Sequence, residues 1–486
     1  MLENALTKIN SLFDRFFWRL LGLAVLLELL SFLAFFYRPL EIASFFIILI
    51  IVAILTWKNT GYGIYCLLLE LILGGQGYLF FWDLSGFKIS LRLGLFLIIF
   101  IIWAIKTLLK KDFSWLENRF FIWFIVFVLL IASSTINALF NHRPLSDIFF
   151  DGNAFLFWGL IGLYLSAKID WQKILKIFLA GSLVISLKTV LVLVFFSRHW
   201  AYVNDGVLYK WLRDTRVGEI TAITDNLFRI FFQSHIYSVL AICLVIALLF
   251  IGTKNSLLSK KIQLGLIIII WFNALALIIS QSRSFWLALA ILLIIFAGTL
   301  LFYFKSWRKT AVLIVSTILV LLTVNFATGL IIGQPSLNIF YQRVSATASG
   351  EAGASSRAAQ LMPLLKEIKK SPLWGEGLGA KVSYISSDPR VLEQNPTGLT
   401  STYAFELNYL DLTLKFGLIG LIVYLSFYFL LVKKIRPSLK NKNPIVWGLA
   451  LGLAGLAVIN IFTPYLNHPL GIGYLLLSMN IFNDLS

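Results

Sequence analysis

Residues 260–309 read KKIQLGLIIIIWFNALALIISQSRSFWLALAILLIIFAGTLLFYFKSWRK. Two apolar runs, 263–281 and 284–304, are each about 20 residues long, enough to cross the roughly 30 Å hydrocarbon core of a bilayer as a helix. Gln281-Ser282-Arg283-Ser284 joins them, while Lys260 and Lys261 flank one far end and Lys305, Arg308 and Lys309 the other. Lys and Arg concentrate in cytoplasmic connections. The stretch therefore reads as a transmembrane hairpin with both ends in the cytoplasm and Arg283 at the opposite boundary.

The same pattern extends in both directions. About 14 runs of spanning length follow one another, near 17–36, 40–57, 61–82, 92–109, 119–139, 151–167, 173–196, 230–252, 263–281, 284–304, 310–332, 403–432, 445–463 and 468–484. Composition agrees: 59% of the 486 residues are hydrophobic and 13% are charged, with a mean hydropathy of +0.88. A soluble domain is about 45–50% apolar and about 25% charged, so lipid must solvate many of these side chains. The fold class is all-α, a polytopic transmembrane helical bundle. The first run is long enough to read as a spanning helix rather than a cleaved signal peptide.

The net charge of +18 does not point to nucleic acid, because the cations lie in short clusters between apolar runs. Alternate connections hold Lys106/Lys110/Lys111/Arg119, Lys168/Lys173/Lys176, Lys254/Lys260/Lys261, Lys305/Arg308/Lys309 and Lys433/Lys434/Arg436/Lys440/Lys442. Lys8, Arg15 and Arg19 fall in phase with them. Both termini are expected in the cytoplasm. Cys66 and Cys243 lie within apolar runs and propose no disulfide or metal site.

Two connections on the outside are long, near 198–229 and 333–402, and long loops of ordinary composition are commonly functional. Within the second, Ala358, Leu361, Leu364, Leu365 and Ile368 fall on one face of a helix over 355–370. Ser355 or Ser356 is placed to cap it, and Ser371-Pro372 stops it. It is expected to lie over the membrane mouth as a lid. Ionisable residues within spans are costly and are functional candidates: here Glu28, Glu70, Lys188, Arg283, Glu406, Asp411 and Lys415. Asp411 and Lys415, four residues apart, neutralise each other on a helix, and Glu28 and Glu70 are placed to pair with Lys188.

The outside segments hold Arg198, Arg213, Arg216, Arg229, Arg283, Arg343, Arg357 and Arg390. Guanidinium forks match phosphate oxygens, so a diphosphate at the membrane surface is the natural partner. Pro372-Leu373-Trp374-Gly375-Glu376-Gly377-Leu378-Gly379 offers backbone amides for an anion nest or, alternatively, a tight turn. His142, His199, His235 and His468 show no zinc-ligand spacing. The outside segments carry no Asp-x-Asp, so neither a metal nor another cofactor is called for.

These stretches resemble the O-antigen ligase and O-antigen polymerase superfamily. Ser282-Arg283-Ser284 resembles its Ser-Arg motif. Arg357, the amphipathic helix and the alternating glycines after Pro372 are similar to its arginine, helix and Pro-x-x-Gly-x-Gly-x-Gly pattern. Glu406-Leu407-Asn408-Tyr409-Leu410 running to Gly417-Leu418-Ile419-Gly420 resembles its His-Asn-x-Tyr-Leu helix. The family's ligases have histidine where this chain has Glu406, and a carboxylate also accepts a proton from a hydroxyl.

The resemblance implies a GT-C-like glycosyltransferase of the bacterial cytoplasmic membrane. It would move a glycan from undecaprenyl diphosphate to a sugar hydroxyl, on a glycan or lipid-linked glycan acceptor, at the outer face. On this reading Glu406 is the base, and Arg283, Arg357 and Arg229 hold the diphosphate. Arg213, Arg216 and Arg343 support them, and Gly375, Gly377, Gly379, Asn408 and Tyr409 complete substrate binding. Tyr403 and Trp374 stack on sugars or pack the lid. The chain then divides into N-terminal helices over 1–229, the ligase/polymerase-like core over 230–432, and C-terminal helices over 433–486. The alternative is a lipid-linked glycan flippase or exporter, for which Glu28, Glu70 and Lys188 speak. Topology is directly testable: on intact cells an impermeant thiol reagent should label a cysteine placed at Ser345 and spare one at Ser438. The reverse pattern would overturn the orientation.

Overall fold

The computed structural model describes residues 11–84, 86–203, 206–251, 258–334, 352–386 and 389–485. In chain order the elements are α1 (Arg15–Phe36), α2 (Arg38–Lys58), α3 (Thr60–Leu73), the hairpin β1 (Phe81–Leu84) and β2 (Phe87–Ser90), α4 (Leu91–Lys110) and α5 (Arg119–Phe140). Next come α6 (Leu145–Gly152), which runs through a tighter stretch Asn153–Leu160 into α7 (Ile161–Ser166), then α8 (Trp171–Ser197), α9 (Val207–Asp214), and the hairpin β3 (Gly218–Ala222) and β4 (Phe228–Phe232). They are followed by α10 (His235–Ile251), α11 (Lys260–Ser280), α12 (Arg283–Gly298), α13 (Trp307–Ile332) and α14 (Ala352–Ile368). The chain continues with β5 (Val382–Ile385), α15 (Pro389–Gln394), β6 (Leu399–Thr402), α16 (Asn408–Lys440), α17 (Pro444–Ile459) and α18 (Pro469–Leu485).

Among the described residues, ten helices are long and apolar enough to cross a membrane, counting α6 to α7 as one, and α3, α10 and α17 are shorter apolar helices. Every expected run contains a helix, with shifted limits. The run 61–82 stops being helical at Leu73, where Gly74-Gly75-Gln76-Gly77 leads into the β1–β2 hairpin. The run 230–252 begins as strand β4, and its helix starts only at His235. Asn118, Asn59, Ser90, Asp170 and Asn443 each cap a helix start with a side-chain oxygen, the usual means of satisfying the first amides.

Exposure separates the lipid-facing helices from the central ones. The apolar window of α13 is 17% buried, against 72% for α8. Inside the bundle α10 and α17 approach closely: a side-chain carbon at Gly448 would meet Leu244, and one at Gly452 would meet Leu240 of α10 as well as Tyr474 of α18. Small residues of this kind let membrane helices touch along their backbones. Chain alternation puts all three antiparallel hairpins on one face, together with α14, and this face is referred to as the lid face.

The lid helix runs from Ala352 to Ile368 with Pro363 inside it, starting before the expected 355. Its buried line is Gln360 and Leu364, with Ile368 partly buried, whereas Ala358 and Leu361 are exposed. The expected apolar face is thus rotated. The reason is what the helix rests on: Gln360 donates to the Tyr384 hydroxyl at 2.9 Å, and Leu364 enters a small core with Ala380, Val382, Phe405 and Leu414. Ser438, chosen above as an inside probe, is buried, and the exposed Asn441 beside it serves better.

One break dominates this face. Gly417 interrupts α16 at φ 68° and ψ −175°, and the loop 372–377 fills the gap. The Glu376 and Gly377 amides donate to the Leu414 and Lys415 carbonyls at 2.6 and 3.2 Å; the Leu418 and Ile419 amides donate to the Pro372 and Leu373 carbonyls at 2.9 and 3.3 Å. Every freed backbone group named here gains a partner, which membrane depth requires. Glycine is obligatory at the junction: a Cβ at Gly417 would stand on the Leu373 carbonyl, and one at Gly375, with φ 75°, would meet the Gly417 amide. Gly417→Ala should therefore lower the melting temperature in detergent markedly, since left-handed strain costs about 1–3 kcal/mol before any clash. Gly22→Ala, whose Cβ meets nothing within 4 Å, should leave it unchanged. Equal melting of the two variants would contradict this account.

Candidate functional site

The site is built where the lid helix meets the start of α16. Arg357, in the first half of α14, places its Nε 2.5 Å from Oε2 of Glu406. Glu406 lies two residues before α16, between the buried Phe405 and the buried Asn408. Two residues singled out from separate motifs thus face each other, and both side chains keep contact with solvent, at 30% and 44% exposure. Opposite charges this close form an ion pair.

Arg229 and Arg283 both lie at the corner between α11 and α12. Arg229, on β4, donates from Nε to the Ser280 carbonyl at 3.2 Å and lies over the Phe231 ring at 5.1 Å. Arg283 opens α12 just beyond the corner formed by Gln281 and Ser282. That corner reaches the connection between α17 and α18 through Ser284 and Thr463, whose hydroxyls are 3.2 Å apart. The same connection holds Asn408: its Nδ2 donates to Asn460 Oδ1 at 2.8 Å and to Asn467 Oδ1 at 2.9 Å.

Other expected site residues have different surroundings. Arg213 pairs with Asp214 at 2.8 Å, and Arg216 lies over Tyr78 at 4.8 Å. Both belong to the neighbourhood of α1, α3 and α9 rather than to the lid junction. Arg343 lies outside the described residues. Asn408 is fully buried in the amide cluster, and the Tyr409 hydroxyl donates to the Ala457 carbonyl at 2.8 Å, so both hold helices together. Trp374 is exposed, and Tyr403 lies 6.0 Å from Lys381 Nζ.

The glycine stretch also departs from expectation. The Gly375 amide donates to the Ser371 carbonyl at 2.9 Å, and the Gly377 amide to the Lys415 carbonyl. The Gly379 amide donates to Asp151 Oδ2 at 2.7 Å. All three are used within the protein, which corrects the anion-nest assignment: the loop is a structural plug. Its carbonyls are held as well. Asn137 donates to the Gly375 carbonyl at 3.0 Å, and Arg143 to the Gly377 carbonyl at 2.9 Å. Burial pushes the Arg143 guanidinium down from its ordinary range, and Glu376, 3.5 Å away, opposes that shift.

Beneath the plug, Lys415 is shared by two carboxylates. Its ammonium is 2.7 Å from Asp411 Oδ2 and also contacts Asp151 Oδ1. Asp411 accepts from Asn467 at 2.9 Å, which ties this cluster to Asn408 and Asn460. The Asp411–Lys415 pairing follows the helical spacing as expected. Asp151 was missed, since it opens an expected span and reads there as a boundary residue. Arg92 was missed for the same reason: it pairs with Glu70 at 2.9 and 3.1 Å, leaving Lys188 to Glu28 alone at 2.6 Å.

These features define a polytopic all-α membrane protein with a lidded, arginine-bearing site on one face. Residues 268–425 match the family model described as O-Antigen ligase, which supports the O-antigen ligase/polymerase family. The matched segment falls inside 230–432 and holds Arg283, Arg357, the plug and Glu406. No curated protein matches the chain.

The buried cluster yields a stability test. Removing the cation from a buried, hydrogen-bonded charge group costs about 3–5 kcal/mol. Lys415→Met should therefore unfold the protein in detergent or abolish its accumulation, and adding Asp151→Asn and Asp411→Asn should restore much of the loss. Normal melting of the single variant would refute a structural role for Lys415.

Proposed function

We propose that this protein transfers a glycan from undecaprenyl diphosphate to a sugar hydroxyl on the outer face of the bacterial cytoplasmic membrane, as an O-antigen polymerase or ligase, without a metal ion. The observation that carries the reading is the meeting of Arg357 and Glu406 at 2.5 Å within the segment that matches the O-antigen ligase model. The acceptor oxygen attacks the anomeric carbon. The bond from that carbon to the diphosphate oxygen breaks, and its electron pair leaves with the diphosphate. Glu406 takes the hydroxyl proton, and guanidinium groups of Arg357, Arg283 and Arg229 stabilise the departing charge.

The family match supports the transferase chemistry in outline. The exporter reading leaned on Glu28, Glu70 and Lys188, and these are engaged with one another or with Arg92. A transport path uses polar groups near the midplane, so this pairing favours the transferase.

The deciding experiment incubates purified protein in EDTA with an undecaprenyl-diphosphate-linked glycan. Longer lipid-linked chains identify a polymerase, transfer to another acceptor a ligase, and translocation without bond change an exporter. In the same assay Arg357→Lys and Arg283→Lys should each lose at least about tenfold in rate, because a lysine keeps the charge but not the fork. Arg390→Lys, outside the motif stretches, should stay near wild type. Full activity of both motif variants would reduce the arginines to plain electrostatic attraction, and loss of activity in EDTA that Mg²⁺ restores would overturn metal independence.

A further inference from the structure

The Arg357–Glu406 pair joins two groups that the proposed reaction uses separately, one for the donor's diphosphate and one for the acceptor's proton. In the structure each occupies the other. The contact is an ion pair through one atom of each, Nε and Oε2, and it sets the carboxylate against the guanidinium rather than against a substrate. The guanidinium edge that carries Nε, covered by a carboxylate oxygen, is likewise closed to a phosphate oxygen.

The surroundings explain why this pair is the exchangeable one. Lys381 is matched with Asp147 at 2.7 Å, and Arg143 with Glu376 at 3.5 Å and the Gly377 carbonyl at 2.9 Å. Those contacts clamp the plug to α5 and α6. The backbone on either side of the Arg357–Glu406 pair is also fixed, by Gln360 and Leu364 on the lid helix and by the buried Phe405 before α16. The two side chains, both partly open to solvent, are placed to change partners.

Resting on the transferase reading, we propose that Glu406 is the resting counter-ion of Arg357 and that the donor's diphosphate displaces it. Carboxylate and diphosphate then occupy the same guanidinium in turn. The empty site keeps its arginine neutralised at the membrane boundary. Arrival of the diphosphate takes the guanidinium and releases the carboxylate, so the base becomes free only when a donor is present. The lipid diphosphate therefore binds first and the acceptor hydroxyl second.

This exchange has a consequence that a simple base does not share: removing the carboxylate should strengthen donor binding while it destroys turnover. The probe is undecaprenyl diphosphate, titrated into the full chain in nanodiscs for wild type, Glu406→Gln, Arg357→Gln and the double variant. Partly exposed ion pairs contribute modestly, so Glu406→Gln should bind about two- to five-fold tighter than wild type. Its transfer rate should fall about 10²–10⁴-fold. In the Arg357→Gln background the same change should alter binding by less than about 1.5-fold, because the competitor has lost its target. Should Arg357→Gln fail to fold, Arg357→Ala, which also removes the cation, takes its place in the cycle.

Unchanged or weaker binding by Glu406→Gln would overturn the exchange. So would an equal gain in both backgrounds, which would mark bulk repulsion between two anions. Absence of binding by the wild type would overturn the transferase reading together with this proposal, whereas wild-type binding with no gain in the variant would overturn the exchange alone.

Discussion

The interaction on which the rest of the lid face depends is the mutual satisfaction of a broken helix and a glycine-rich plug. Breaking α16 at Gly417 frees carbonyls at Leu414 and Lys415 and amides at Leu418 and Ile419, and the loop after Pro372 answers these four groups. An unsatisfied backbone group costs several kcal/mol where water is excluded, so neither partner is stable without the other. The plug in turn fixes where the lid helix ends and where β5 begins. With α14 resting on β5 and the upper half of α16, Arg357 is brought to Glu406. The glycines act on function through position, by letting two backbones touch, rather than by offering free amides.

Charge neutralisation is the second organising constraint. Glu28 with Lys188, Glu70 with Arg92, and Lys415 between Asp151 and Asp411 are buried ionic groups held by direct contacts. Pairs of this kind contribute little net stability relative to apolar packing, but losing one partner is severe. They therefore specify which helices lie side by side. Glu28–Lys188 joins α1 to α8, Glu70–Arg92 joins α3 to α4, and the Lys415 group joins α6 to α16. The partly exposed Arg357–Glu406 pair differs, since water reaches both members and an anion can compete.

Hydropathy made the helical bundle legible, because the length of an apolar run is a local property of sequence. The hairpin 260–309 illustrates it: its two helices, α11 and α12, turn at Gln281 and Ser282 as the residue pattern indicates. Arg357 and Glu406 were also legible as candidates through their motifs, but their contact was not, because spacing along the chain carries no information about a fold between two segments. Asp151 and Arg92 escaped notice at the edges of apolar runs, where a charge ordinarily reads as a boundary. The lid helix shows the limit of periodicity. Leu361 and Ala358 match the expected face, yet the helix presents Gln360 and Leu364 inward because Tyr384 and the Leu414 cluster receive them.

The plug also bears on how portable the lid is. Its contacts reach Asn137 and Arg143 at the end of α5 and just beyond it, Asp151 in α6, and the Gly417 break in α16. A lid exchanged between two homologous chains would arrive without its matching sockets, and its carbonyls and amides would face the wrong groups. Modularity in this architecture therefore does not follow the loop boundaries seen in the sequence. The smallest transplantable unit is a discontinuous one: the lid, the ends of α5 and α6 on the lid face, and the first half of α16. Chimaeras designed to change the glycan handled by such a protein would need to move these pieces together.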